Sequence, residues 1–201
     1  LTVGNNSGLF GSLNTGSEVK NLGLVGAEVT APSTEGYIGL LAGRAYNADI
    51  VNCYVIGEIE AEATSMGGLV GLASNGTLID SCLTSGRFVN TSQNADALTG
   101  GIAGSADTQV TVSNSLSTAY VVGDGIVGGI VGEATGESAV NNSVFAGTVL
   151  DSALESGALV PAIQTIGNIA GTVSGDSNIT GCAYDRQLTF IADSNAIAKN
   201  T

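Results

Sequence analysis

Gly67-Gly68-Leu69-Val70-Gly71, followed after a short polar gap by Ile79-Asp80-Ser81-Cys82-Leu83-Thr84-Ser85-Gly86, is the stretch whose reading decides the fold. Variants of the first half stand at 8–11, 39–43, 100–104, 128–132 and 167–171, each trailed by a variant of the second half. The final glycines, Gly11, Gly43, Gly71, Gly104, Gly132 and Gly171, are spaced by 32, 28, 33, 28 and 39 residues. A period of that size in segments rich in β-branched residues marks a stacked repeat architecture. Within one period there are three short pieces: the glycine block, a segment such as 79–85, and a third beginning at Phe88-Val89. The Asn75-Gly76 dipeptide between the first two is a turn signal. One such coil cannot bury its own apolar face, so coils must stack, each strand pairing in parallel with its equivalent about 4.8 Å away.

The expectation is an all-β fold, a parallel β-solenoid of the right-handed β-helix kind. It would have about six coils of roughly 28–39 residues with three short strands each. The whole of 1–201 is read as a single domain, with the repeats spanning about 8–190. Leu1-Thr2-Val3 reads as the tail of an upstream strand, so the chain is expected to be a piece of a longer secreted protein.

Stacking predicts ladders of equivalent residues. Val19, Ile50, Ile79, Val112, Val140 and Ile179 form a uniformly β-branched column, the best candidate for an inward ladder. Two residues on stand Asn21, Asn52, Ser81, Asn114, Asn142 and Gly181. Asparagine at a bend can bond neighbouring backbone and its equivalents above and below, so Asn21, Asn52, Asn114 and Asn142 are assigned a structural role, as are Gly71, Gly104 and Gly132. The next column holds Leu22, Cys53, Cys82, Ser115, Ser143 and Cys182. It is open between a ladder of small core residues and a Cys53–Cys82 disulfide, since neighbouring coils lie within bridging distance. A metal site there is disfavoured by the absence of histidine and of Cys-x-x-Cys spacing.

Composition narrows function mainly by exclusion. Net charge is −13, from 18 acids and 5 scattered bases, which argues against nucleic acid or an anionic membrane as partner. No apolar run approaches the roughly 20 residues of a membrane-spanning helix, so no membrane insertion by this segment is expected. Without histidine, Ser–His–Asp and Cys–His arrangements are impossible. Glu58, Glu60 and Glu62 alternate with Ile59, Ala61 and Ala63, which puts three carboxylates on one strand face. A glycosidase would need carboxylates facing across a cleft, usually with aromatic sugar platforms, and the chain has no Trp. Turn residues such as Asn47, Asp49, Asp107 and Glu137 match no calcium loop. No cofactor and no catalytic residue is expected.

The repeats resemble the GLUG repeat of bacterial surface and secreted proteins, including adhesin-like proteins and some IgA-peptidase regions. Gly67-Gly68-Leu69-Val70-Gly71 and Ile50-Val51-Asn52-Cys53-Tyr54-Val55-Ile56-Gly57 carry the likeness. Asn21-Leu22-Gly23-Leu24-Val25 and Cys182-Ala183-Tyr184-Asp185-Arg186 are similar to what begins and ends such arrays. The resemblance implies a β-solenoid on or outside a bacterial cell and no particular catalytic residue.

Insertions concentrated at one edge of a solenoid often form its binding face. Here the longer connections are 30–38, 90–99 and 151–166. Thr30, Glu35, Tyr37, Asn94, Asp96, Asp151 and Glu155 are therefore the candidate ligand-binding residues. The expected function is a non-catalytic, extracellular or cell-surface adhesive module that displays loops to a host glycan or protein. The alternative is a carbohydrate-binding or polysaccharide-degrading β-helix domain.

Overall fold

The structure, a computed structural model, describes residues 5–31, 36–152 and 165–186. It is a parallel β-solenoid of about five turns, in which short strands recur coil after coil and stack into four sheets. Sheet I stacks Asn6–Ser7, Tyr37–Gly39, Ser65–Gly67, Leu98–Gly100, Ile126–Gly128 and Thr165–Gly167. Sheet II stacks Phe10–Leu13, Ala42–Tyr46, Val70–Ser74, Ala103–Asp107, Val131–Thr135 and Ala170–Val173. Sheet III stacks Glu18–Lys20, Asp49–Val51, Leu78–Asp80, Thr111–Ser113, Ala139–Asn141 and Asn178–Thr180. Sheet IV begins with Gly23–Ala31, Tyr54–Ala61 and Leu83–Asn90. It continues in the split strands Leu116–Ser117 with Tyr120–Gly123 and Val144–Phe145 with Thr148–Asp151, and closes on Ala183–Tyr184.

The coil therefore has four sides where the sequence pattern suggests three. The glycine block is a corner between two strands. Its central apolar residue, Leu41, Leu69, Ile102 or Ile130 in successive coils, is fully buried, and Ile169 is nearly so. Anchoring that side chain in the core bends the backbone through the block, so that Ser65–Gly67 and Val70–Ser74 join different sheets. The flanking glycines let the two arms close. A Cβ on Gly67 would strike the Val70 carbonyl oxygen, and one on Gly71 would strike the Ile38 amide nitrogen and lie 2.7 Å from the Gly43 oxygen. Their role is close backbone approach.

The inward columns fill the core. Val19, Ile50, Ile79, Val112, Val140 and Ile179 stand in direct register down sheet III, and the four middle residues have no exposed surface. Sheet IV contributes Val29, Ile59, Phe88, Val121 and Val149. Large residues face small ones: the Phe88 ring occupies the space a side chain on Gly68 would need, and Phe145 that of Gly129. Such complementarity is what native packing density requires.

Candidate binding surfaces

Two corners of the coil differ in how tightly they are specified. Between sheets III and IV every coil turns on one residue with positive φ: Asn21 58°, Asn52 53°, Ser81 56°, Asn114 51°, Asn142 49° and Gly181 64°. Asparagine and glycine are the residues that enter this left-handed region at least cost. The amides also bond between coils, Asn52 Nδ2 donating to Asn21 Oδ1 at 2.6 Å and Asn114 Nδ2 to Asp80 Oδ1 at 2.7 Å. The carbonyl of the residue before the turn accepts the turn-residue amide of the coil before it, Asn21 N donating to Val51 O and Asn52 N to Asp80 O, and the side chain after the turn adds a second donor to the same oxygen. Cys53 Sγ donates to Val51 O at 3.4 Å, Cys82 Sγ to Asp80 O at 3.3 Å, Ser115 Oγ to Ser113 O at 2.7 Å and Ser143 Oγ to Asn141 O at 3.0 Å. Cysteine and serine interchange in this column because both supply a small side-chain donor.

The Cys53–Cys82 disulfide is not formed; both thiols are free and buried. Stacked in parallel, each thiol also reaches a carbonyl of the coil before it, Cys53 to Val19 O and Cys82 to Ile50 O, both at 3.5 Å. Burial pushes the Cys82 thiol up to about 12, and burial likewise raises that of Cys182. On the outside of the same corner, Ser113 Oγ donates to Asp80 Oδ1 at 2.6 Å. That bond, helped by those from Asn114 and Ser81, holds the Asp80 carboxyl below its ordinary value.

The corner from sheet IV to sheet I is the variable one. Its connections run from Ala31 to Tyr37, Ala61 to Ser65, Asn90 to Leu98, Gly123 to Ile126 and Asp151 to Thr165. The long segments noted in the sequence thus each connect a sheet IV strand to a sheet I strand. The described residues singled out there sit in different strands and loops. Thr30 is exposed and registers with Glu60; Tyr37 is half-buried and registers with Ser65. Asn94 and Asp96 share one loop, where Asn94 Oδ1 accepts the Asp96 amide at 2.9 Å. Asp151 is completely buried, so its carboxylate does not face solvent. Glu35 and Glu155 lie outside the described residues.

The edge instead gathers residues the sequence did not single out. Asp124 accepts from Ser152 Oγ and, at 3.4 Å, from Gln93 Nε2, which links three successive coils. Beneath the loop Asn90 is 1% exposed and uses both ends of its amide. Its Oδ1 accepts from the Ala63 and Ser92 amides at 3.0 and 3.1 Å, while its Nδ2 donates to Ala63 O and Thr99 Oγ1, both at 3.1 Å. An asparagine two residues after Phe88, and so on the same inward face of its strand, was the available signal. Glu58 and Glu60 point outward from sheet IV, and Glu60 meets Arg87 Nη1 at 3.4 Å.

Residues 34–60 match the family model described as the GLUG motif. The chain carries a GLUG repeat. Over 64 residues it is 42% identical to a protein of Evansella cellulosilytica described as a Gly-rich membrane protein. That stretch is 31% of this chain and 7% of the relative. The solved structure of an IgA1 protease shares the fold at TM-score 0.50 and 18% identity, over 90% of this chain and 15% of that one. The GLUG chain thus corresponds to a small part of each longer protein.

Proposed function

We propose that this GLUG solenoid is a non-catalytic extracellular module that displays the sheet IV to sheet I edge for adhesion to a host glycan or protein. One observation carries the reading. The connections at that corner vary in length from coil to coil, while the III to IV corner repeats a single turn geometry. A rigid frame whose irregularity is confined to one edge suits presentation of a binding surface, because loops on a stable scaffold tolerate change. The relative described as a membrane protein supports a place at the cell envelope. Gln93, Asp96 and Asp124 are the polar groups that such a ligand would meet first.

The test is a glycan and host-protein binding screen on the chain, repeated with Gln93→Ala/Asp96→Ala. Expected is a ligand retained by the parent and lost in the variant, with an unchanged β-sheet circular dichroism spectrum. Binding that survives the variant would place the ligand elsewhere. Polysaccharide turnover abolished by Glu58→Gln or Glu60→Gln would overturn the non-enzyme reading.

A further inference from the structure

The outer face of sheet IV carries side chains that neither corner uses. One column runs Tyr54, Leu83, Leu116 and Val144, one residue per coil in direct register. Tyr54 is 45% and Val144 40% exposed, and the Tyr54 ring lies across Gly23 of the preceding coil. Beside it Val25 registers with Ile56, at 69% and 41% exposure. Apolar residues of this size normally face inward. Here they form a continuous strip on a sheet whose other face already packs the core.

Further along the same strands the chemistry reverses. Glu28 stands directly over Glu58, followed by Arg87. Arg87 pairs with Glu60, and neither Glu28 nor Glu58 has an ion-pair partner among the described residues. Between the apolar and acidic columns the register of the first strand slips between Val25 and Ala27, with Gly26 at φ 68°. Bulges re-aim side chains in this way. The result is a depression of about 430 Å³ lined by Gly26, Gly57 and Gly86, with Ala27 and Ile56 as apolar walls and Glu28 and Glu58 as acidic ones.

We propose that this depression receives the lysine or arginine side chain of an extended basic segment of a partner protein, whose apolar residues lie along the Tyr54 and Leu83 column. A long cationic side chain is itself apolar in its stem and charged at its tip. Its stem fits the wall of Ile56 and Ala27, and its tip relieves the repulsion between Glu28 and Glu58. An extended segment presents alternate residues to one face, matching apolar and basic positions to the two kinds of column. The net charge of −13 favours approach of a basic partner and disfavours an acidic one. This surface is separate from the loop edge of the proposed function, and it does not depend on that reading.

The experiment is fluorescence anisotropy with a labelled lysine–valine octapeptide, Val-Ser-Val-Ser-Lys-Ser-Lys-Ser, whose alternate residues set two valines and two lysines on one face. Its controls are the same peptide with glutamate for lysine, and with serine for valine. The parent chain is expected to bind the lysine–valine peptide and to bind both controls more weakly. Glu28→Gln/Glu58→Gln is expected to weaken binding about tenfold and to flatten its salt dependence. Because the double variant removes a like-charge contact, it should melt no lower than the parent, which separates lost binding from lost structure. Ile56→Ser should weaken binding by a smaller factor. Gln93→Ala/Asp96→Ala should leave peptide binding unchanged, so failure at the loop edge and failure here are distinguishable. Equal affinity for the glutamate peptide, no binding of the lysine–valine peptide, or an unchanged affinity in the glutamine variant would each overturn the proposal.

Discussion

The III to IV corner and the IV to I corner close the same coil by opposite means. At the first, one residue in the left-handed region recurs, followed at Cys53, Cys82, Ser115 and Ser143 by a buried hydrogen-bond donor, and the turn keeps one length. At the second, a coil is closed by as little as the step from Gly123 to Ile126 or by as much as that from Asp151 to Thr165. The difference teaches where a solenoid can vary. A repeated positive φ and carbonyls that accept the turn amide of the neighbouring coil tie the coils together there, whereas a surface connection needs only to return in register.

The comparison breaks most sharply at Asn52. Asn52→Val places a β-branched side chain at φ 53° and is expected to cost about 2 kcal/mol. Asn52→Gly should cost well under 1 kcal/mol, since it keeps the turn and loses only the amide bond to Asn21. Urea unfolding midpoints of the two variants measure the contrast; equal losses would mean that the amide bond, and not the backbone conformation, defines this corner.

Cys82 tests the donor column, through pH. Its thiol rises from 9.0 to about 12 in the fold, so the folded state holds the proton more tightly than the unfolded chain. The resulting stability is fully present below pH 9 and is lost as pH climbs from there toward 12. Cys82→Ser keeps a donor that does not titrate in this range. Between pH 9 and pH 12 the parent should therefore lose more stability than Cys82→Ser in denaturant titrations, and parallel losses would remove the thiol from the account. Alkylation at neutral pH should modify half-buried Cys182 well before Cys53 or Cys82.

The smallest effect belongs to the variable corner. Inserting Gly-Ser-Gly between Gln93 and Asn94 should change stability by no more than about 0.6 kcal/mol, because loop closure costs grow only slowly with length. A loss of several kcal/mol would show that this loop is as constrained as the opposite corner.

Much of the fold is legible in the sequence. The β-branched column from Val19 to Ile179 was legible because a recurring glycine block followed by a β-branched segment admits few other arrangements. The fourth side of the coil was not. Gly67-Gly68-Leu69-Val70-Gly71 reads as one apolar run, and only the burial of Leu69 between two strand arms marks it as a corner. The asparagine column was legible as a column but not in its cause, since Ser81 and Gly181 join it through φ and not through an amide. The loop residues were marked by length alone, which says where chain is spare and not where side chains meet. Asp124, Gln93 and Ser152 come from three different coils and share no sequence neighbourhood.

The sequence by itself determined that the chain coils, with what period, and which residues stack. Those properties follow from periodicity, and parallel pairing converts a repeat in the chain into a ladder in space. The tertiary structure alone decided which residues of one coil face those of the next: the thiols toward backbone carbonyls and not each other, Asp151 into the interior, and Glu28 over Glu58 beside a glycine-floored depression. Such contacts depend on φ at a corner and on a one-residue slip at Gly26, where a small local rotation decides which way the following side chains point.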